Sequence, residues 1–354
     1  MILVTGGAGF IGSNFILDWC NLSDEQIINI DKLTYAGNLM NLSSITQSDQ
    51  YKFYKVDISN NELILEILKK HKPRAVINFA AESHVDRSIH GPRDFVNTNI
   101  MGTFELLEAV HSYWTNLHDS KKGEFKFMHI STDEVYGSLL KQDPSFTETN
   151  QYKPNSPYSA TKAASDHLVR AFHKTYQLPV IISNCSNNYG PYQFPEKLIP
   201  LTINNILKDK KIPVYGSGLQ IRDWLYVNDH CDALRVILKE GKIGETYNIG
   251  GLNEKANIDV ISMICSKMDK QISANKESSS KNLITYVQDR AGHDKRYSVD
   301  ISKISKSLNW QPKESFESGI DKTIKWYLDN QYWVDSVMTG DYIEWMKKNY
   351  SKIS

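Results

Sequence analysis

Short β-branched or aromatic runs recur through the first 190 residues, separated by longer stretches in which apolar positions return at helical spacing. The runs predict strands over residues 2–5, 26–30, 52–56, 75–79, 126–130 and 180–183. Between them the pattern predicts helices from Ile11, from Asn61, over 95–113 and over 158–176, each long enough to cross between parallel strands. That alternation predicts an α/β fold built on a Rossmann-type, doubly wound parallel sheet. After Gly190 the rhythm breaks at Pro191, Pro195, Pro200 and Pro213, and short strands at 213–215 and 246–249 mix with helices. The expected division is a Rossmann domain over 1–190 and a smaller C-terminal α+β domain over 191–354, from which some chain can return to the first. The polar, turn-rich stretches 115–126 and 273–281 predict surface loops. Trp326, Tyr327, Tyr332, Trp333, Tyr342, Trp345 and Tyr350 mark a helical tail whose rings pack on the rest of the molecule.

Composition narrows the possible partners. In 354 residues, 41 Lys+Arg balance 41 Asp+Glu, so there is no basic footprint for nucleic acid or an anionic membrane. Small molecules or copies of the chain are the expected partners. No run approaches the length of a membrane-spanning helix, and the opening MILVTGG is strand-like with no leader pattern. Cys20, Cys185, Cys231 and Cys265 are scattered without a CxxC pair, which suits a reduced, cytoplasmic protein without disulfides. Ten histidines form no HExxH or comparable cluster, so no metal is expected. His84 and His230 read as hydrogen-bonding scaffold.

Three motifs carry the chemistry. Gly6, Gly9 and Gly12 follow the first strand at GxxGxxG spacing and open a helix. Glycine there permits a tight turn and lets the backbone approach a pyrophosphate, whose charge the helix N-terminus favours. Asp31, 19 residues after Gly12, stands where a carboxylate accepts hydrogen bonds from an adenosine ribose, which favours NAD over NADP. Asp57 and Ile58, after the third strand, border the adenine or else form a solvated strand end. Tyr158 and Lys162 lie at i and i+4 on one helical face. The ammonium and a cationic nicotinamide ring are expected to lower the phenol's pKa and make Tyr158 a base for a sugar hydroxyl. Ser131-Thr132-Asp133-Glu134 ends the strand predicted at 126–130, at the edge where ligands of parallel sheets bind. Its two carboxyl groups can serve as acid and base in an elimination, or as a turn cap.

The sequence resembles the extended short-chain dehydrogenase/reductase family nearly end to end, most closely its nucleotide-sugar dehydratases. The motifs are GGAGFIGSN at 6–14, DKLTYAGN at 31–38, AAESHVDRSI at 80–89, STDEVYG at 131–137, YSATK at 158–162, SNNYGPYQFPEKLIP at 186–200, YGSGLQIRDWLYVNDH at 215–230 and DRAGHDKRYSVD at 289–300. The Asp133-Glu134 pair is the most specific of these signals, because related sugar-nucleotide epimerases lack it. The resemblance implies NAD contacts from Phe10, Ile11, Asp31, Lys32, Leu33, Thr34, Asp57, Ile58, Ala80, Ala81, Thr98, Tyr158, Lys162 and Asn188. It implies substrate contacts from Ser83, Thr132, Asn187, Lys197, Leu198, Pro213, Tyr215, Arg222, Asn257, Arg290, His293 and Tyr350. Lys197, Arg222 and Arg290 are suited to a diphosphate. Ala291 stands where the family commonly has proline, which removes no functional group.

The activity so implied is redox-neutral, NAD-dependent dehydration of a nucleoside-diphosphate glucose, with dTDP-glucose the expected substrate, to a 4-keto-6-deoxy sugar. Tyr158 takes the 4-hydroxyl proton while Thr132 orients that hydroxyl. Glu134 takes the proton on carbon 5, and Asp133, held protonated, delivers one to the departing 6-hydroxyl. A homodimer through helices of the Rossmann part, including the one from Phe95, is the expected assembly. The rival readings are a 4-epimerase or another nucleotide-sugar dehydratase, and a non-catalytic NAD-binding sensor, which needs none of the acid-base residues.

Overall fold

The computed structural model describes residues 1–272 and 278–338. Seven parallel strands form the main sheet: β1 (Ile2–Thr5), β2 (Ile27–Asp31), β3 (Tyr51–Lys55), β4 (Ala75–Asn78), β5 (Lys126–Thr132), β6 (Val180–Cys185) and, out of sequence, Thr246–Ile249 at one edge. The order from the other edge is β3-β2-β1-β4-β5-β6, followed by that late strand. Every residue of β1, β4 and β6 is buried, because helices cover both faces, and the strands therefore read as unbroken apolar runs. The order reverses between β1 and β4, where Thr5 pairs with Ile30 on one side and Asn78 on the other. A crevice opens there beyond the carboxyl ends of the strands.

Each predicted strand exists, with ends displaced by up to two residues. The helix expected over 95–113 begins earlier, at Pro92, and passes through a π-helical segment, Val96–Gly102, before resuming over Thr103–Thr115. The stretch 115–126 is not all loop, since Asp119–Glu124 forms a short helix. Apart from Gly123 its residues are polar, and none is buried, so no amphipathic pattern announces it. Of 273–281, residues 273–277 lie outside the described set, and Ser280–Leu283 is a 3-10 turn.

The remaining strands are β7 (Asn187–Tyr189), β8 (Ile212–Tyr215), β9 (Ile221–Tyr226), β10 (the edge strand Thr246–Ile249), β11 (Glu254–Ala256) and β12 (Ile284–Val287). β11-β9-β7 form one small sheet and β12-β8 another. They pack with the helices Leu198–Leu207, Asn257–Ile272 and Phe316–Asp329 around a second core that includes Tyr189, Trp224, Phe316 and Tyr327. β10 returns to the main sheet instead, pairing Thr246 to Ile249 with Ile182 to Cys185. All four of its residues are buried, which suits an edge strand covered by the helix Ser302–Leu308.

The tail contains the helices Phe316–Asp329 and Gln331–Val337, and Tyr327 and Trp333 are buried as expected. Tyr332 departs from that expectation, with 80% of its surface exposed. Tyr342, Trp345 and Tyr350 lie outside the described residues.

Candidate active site

The glycine turn is set by close approach. Gly6 has φ +69, and a Cβ there would lie 2.5 Å from the Ala80 nitrogen. A Cβ on Gly12 would lie 2.4 Å from the Gly6 carbonyl oxygen, whereas one on Gly9 would meet only that oxygen, at 3.3 Å. Packing therefore demands Gly6 and Gly12, while Gly9 leaves backbone bare on the crevice side. Gly9 also caps the helix Phe10–Leu22 without any side-chain hydrogen bond, leaving the first N–H groups of that helix for an anion. Asp31, at the end of β2, accepts hydrogen bonds from Ala8 N at 3.0 Å and Leu33 N at 2.8 Å. Burial raises its pKa against those two bonds and Lys32. Lys32 in turn pairs with Asp57 at 3.1 Å.

A cleft of about 290 Å³ runs from this turn to the ends of β5 and β6. It gathers Gly6, Gly9, Phe10, Ile11, Gly12, Asp31, Lys32, Thr34, Asp57, Ile58, Ala80, Ala81, Thr98 and Asn188. Leu33 is the exception among the expected cofactor residues: it lies outside the lining, and its backbone at φ 60 holds Asp31. The open glycine face, the uncapped helix end and the fixed carboxylate fit a dinucleotide.

The same cleft reaches Ser83, Thr132, Asp133, Glu134, Tyr158, Lys162, Asn187 and Lys197. Tyr158 and Lys162 stand on the helix Pro157–Tyr176, which Ser156 and Ser159 open with a reciprocal capping box and Pro157 enters in its first turn. Lys162 Nζ donates to the Ile130 carbonyl at 2.7 Å. Burial lowers the pKa of Lys162, while Asp166 and Cys185 oppose the shift. The expected lowering of Tyr158 draws on Lys162 and a cationic nicotinamide ring together, and the protein's other groups act in the opposite direction. Burial, then Glu134, Cys185 and Asp133, push the phenol well above its ordinary value, and a hydrogen bond with Thr132 opposes them. Desolvation of a phenolate in this crevice is the largest of these effects.

Thr132 ends β5 and caps the 3-10 turn Asp133–Tyr136 by accepting from Glu134 N at 3.2 Å. Its hydroxyl also donates to Asp133 Oδ1 at 3.3 Å. The turn role and the chemical role thus coexist, with Thr132 as the cap. Asp133 is 1% exposed. Burial, Glu134 and Asp223 raise its carboxyl well above the usual range. Burial also raises Glu134, but Arg290, Arg222 and Lys197 work against the rise. Two neighbouring carboxyls are thereby held apart in acidity, Asp133 being the better proton holder.

An adjoining hollow of about 190 Å³ brings Lys197, Leu198, Pro213, Tyr215, Arg222, Asn257, Arg290 and His293 round to Glu134 and Asn187. Lys197 Nζ donates to Ser83 O at 3.0 Å. Arg222 is buried, donates to the carbonyls of Ile221 and Asp294, and stacks 4.4 Å from the Tyr297 ring. Arg290 pairs with Asp86 at 3.0 Å, and Tyr215 donates to the same carboxylate at 2.9 Å. Tyr350 lies outside the described residues. Among those residues no group of His, Cys, Asp and Glu side chains is arranged to hold a metal.

Several contributors escaped sequence reasoning. Asp86 lies within AAESHVDRSI, but only the fold brings it to Arg290 204 positions later. Glu196 lines both hollows and accepts from Tyr35 at 3.1 Å beside Arg87 at 3.3 Å. Asn99, in the π segment, donates to Glu82 O and Thr161 Oγ1 and accepts from Glu82 N, fixing the chain beside Ala80 and Ala81. His230 orients Asn188 at 2.9 Å, and His84 Nδ1 accepts from Arg87 N at 3.3 Å, both scaffold roles.

A glycine turn at the switch point, with a tyrosine-lysine pair over the same crevice, defines an extended short-chain dehydrogenase/reductase. Within that class the chain belongs to the family described as GDP-mannose 4,6 dehydratase, whose sequence profile matches residues 3–323. It is 56% identical over 357 aligned positions to dTDP-glucose 4,6-dehydratase of Shigella flexneri, covering 99% of this chain and 98% of that one. Among solved structures, dTDP-glucose 4,6-dehydratase of Bacillus anthracis in complex with NAD superposes with a TM-score of 0.84 at 45% identity, covering 95% of this chain and 99% of the other. The Streptomyces venezuelae dTDP-glucose 4,6-dehydratase DesIV, with NAD and TYD bound, gives 0.85 at 40% identity over 95% and 99%. Among the described residues no helix is long and apolar enough to cross a membrane.

Proposed function

We propose that this chain converts dTDP-glucose to dTDP-4-keto-6-deoxyglucose, using bound NAD without net oxidation. The observation that carries the reading is the Asp133-Glu134 pair, brought into the same cleft as Tyr158 and Lys162. Oxidation at carbon 4 needs only the tyrosine and lysine, whereas loss of water needs an additional base and an additional acid.

Gly6, Gly9 and Gly12 hold the pyrophosphate against the helix N-terminus, and Asp31 receives the adenosine ribose. NAD supplies a hydride acceptor at carbon 4 of the sugar and a donor at carbon 6. Tyr158 removes the proton from the 4-hydroxyl, which Thr132 orients. Lys162 stabilises the resulting phenolate. The 4-ketone acidifies the hydrogen on carbon 5, and Glu134, the less strongly raised of the two carboxyls, takes it. Asp133, whose carboxyl burial, Glu134 and Asp223 hold well above the usual range, delivers a proton to the departing 6-hydroxyl, and carbon 5 regains a proton as hydride returns to carbon 6. Lys197, Arg222 and Arg290 face the diphosphate. Arg290 meets it with half its fork already committed to Asp86, which fixes its direction.

The chain is further proposed to act in the cytoplasm as a homodimer. Val96 and Met101 support the dimer, being 42% and 48% exposed on the helical segment from Pro92 to Thr115. Incubation with dTDP-, UDP-, GDP- and CDP-glucose, followed by mass analysis, tests the reaction. Loss of one water from dTDP-glucose is expected. Unchanged mass for all four, or epimerisation alone, overturns the reading.

A further inference from the structure

The four-residue spacing of Tyr158 and Lys162 continues along the helix Pro157–Tyr176 to Asp166 and Arg170, so four polar side chains share one face. Asp166 is 0% exposed and lines neither hollow. Its Oδ2 accepts from the Tyr152 hydroxyl at 2.9 Å and from Asn184 Nδ2 at 3.4 Å. Its Oδ1 stands 3.4 Å from His129 Nε2 on β5. The tautomer of His129 follows from its other side. Thr5 Oγ1 donates to Asn78 Oδ1 at 2.6 Å, which turns Asn78 Nδ2 toward His129 Nδ1 at 3.2 Å. Nδ1 is therefore the acceptor, and the ring proton sits on Nε2, facing Asp166.

Besides Lys162, this cluster meets the cleft lining at Ser131, which bonds Asp166, and at Thr132, whose carbonyl accepts from Asn184 Nδ2 at 3.0 Å. A lysine buried to 3% exposure is unstable as a cation unless a carboxylate compensates it. The groups facing Lys162 are Asp166 from its own helix, His129 and the Ile130 carbonyl from β5, and Cys185 from β6, with Tyr158 one helical turn before it. Burial pushes the Cys185 thiol up to about 12, so it is uncharged at neutral pH. The groups facing Asp166 are Lys162 from the helix, His129 and Ser131 from β5, Tyr136 from the 3-10 turn, Asn184 from β6 and Tyr152 from the preceding loop, whose hydroxyl also accepts from Arg170 at 2.7 Å. Although burial opposes it, His129, Lys162 and Ser131 hold the Asp166 carboxyl below its ordinary value.

We propose that Asp166, oriented by His129, is a positioning residue: the counter-ion that keeps Lys162 charged and thereby sets the pH at which Tyr158 works as a base. The proposal rests on the reading of Tyr158 as that base. Without Asp166, burial acts on Lys162 unopposed by any charged carboxylate, and the lysine loses its proton at lower pH. The phenolate then lacks its cation, and the acid limb of kcat/KM moves to higher pH. Direct removal of a negative charge has the opposite sign, since it eases phenol ionisation. The direction of the shift therefore separates the two routes.

The test measures kcat/KM for dTDP-glucose against pH in the full chain. Asp166→Asn is expected to move the acid limb up by about one unit, on the order of a tenfold loss at a fixed pH on that limb. Asp166→Glu is expected to restore part of it. A limb that stays in place or moves down overturns the proposal. If Asp166→Asn does not fold, the double variant Lys162→Met/Asp166→Asn decides: recovery of cooperative thermal unfolding supports a matched charge pair, and continued failure to fold overturns it. Tyr158→Phe is run alongside. If it retains turnover, the base reading falls and takes the proposal with it; if it is inactive while Asp166→Asn keeps a normal limb, the counter-ion role alone is lost.

Discussion

Trp333 Nε1 donates a 2.7 Å hydrogen bond to Asn41 Oδ1 across 292 positions of sequence, and the Asn41 amide donates onward to Ala8 O inside the glycine turn at 2.9 Å. The helix Gln331–Val337 thus braces the cradle at the start of the chain. Asn38 N donates to the same Ala8 carbonyl at 2.9 Å, so the turn is held from two positions. Trp333→Phe keeps a ring in the second core but removes the bond. A net hydrogen bond is worth about 1 kcal/mol, so dissociation of NAD is expected to quicken by roughly fivefold. Stopped-flow dissociation measures it, and an unchanged rate shows that the brace does not reach the cofactor.

Asp31 presents its carboxylate to the ribose side of the cleft with both oxygens already accepting from Ala8 and Leu33. NAD is expected to bind in preference to NADP, since a 2′-phosphate would meet this charge. Asp31→Ser is expected to narrow the preference mainly by weakening NAD. Calorimetric titration of both cofactors decides, and equal affinity in the wild-type chain would place Asp31 away from the ribose.

Tyr158→Phe keeps the ring in place, and is expected to retain NAD while losing turnover by on the order of a hundredfold or more, the scale of general-base catalysis. Glu134→Gln fails at a later point. Oxidation at carbon 4 survives, so a 4-keto sugar still bearing its 6-hydroxyl accumulates and is seen by mass analysis. Normal formation of the dehydrated product by this variant removes Glu134 from the proposed role.

Glu196 links both hollows, and burial raises its pKa from 4.5 to about 7. Between those values the folded protein binds a proton that the unfolded chain has released, so its contribution to stability is whole below about 4.5 and lost as pH rises through about 7. Glu196→Gln is expected to flatten that fall, whose upper size is about 3 kcal/mol at 1.36 per unit. Denaturant unfolding at pH 5 and pH 8 checks it; identical slopes in both proteins would mean that Glu196 titrates normally.

The strands from Ile2 to Cys185 were legible because a sheet covered on both faces selects uninterrupted apolar runs, and Asp31, Tyr158 and Asp133 because local spacing alone brings them to strand ends or one helix face. Pairings across distant sequence left no local mark. Thr246–Ile249 reads as any short strand, and only its register with Ile182 to Cys185 assigns it to the main sheet. Arg290 reads as a free cation until Asp86 is found beside it, and His129 and Asp166 read as unrelated residues until β5 and the helix Pro157–Tyr176 are packed together. Burial, the largest cause of the raised Tyr158 pKa, is a property of the assembled crevice and leaves no local mark either.

The central claim is a redox-neutral dehydration in which one hydrogen stays within the site while another exchanges with water. dTDP-glucose deuterated at carbon 4, turned over in ordinary water and read by NMR, tests it most directly. The expected product is a 4-keto-6-deoxy sugar with deuterium at carbon 6 and, in the converse experiment in heavy water, label at carbon 5 through exchange at Glu134. Deuterium returned to carbon 4 without loss of water would mark an epimerase, and a dehydrated product with no deuterium at carbon 6 would contradict the account outright.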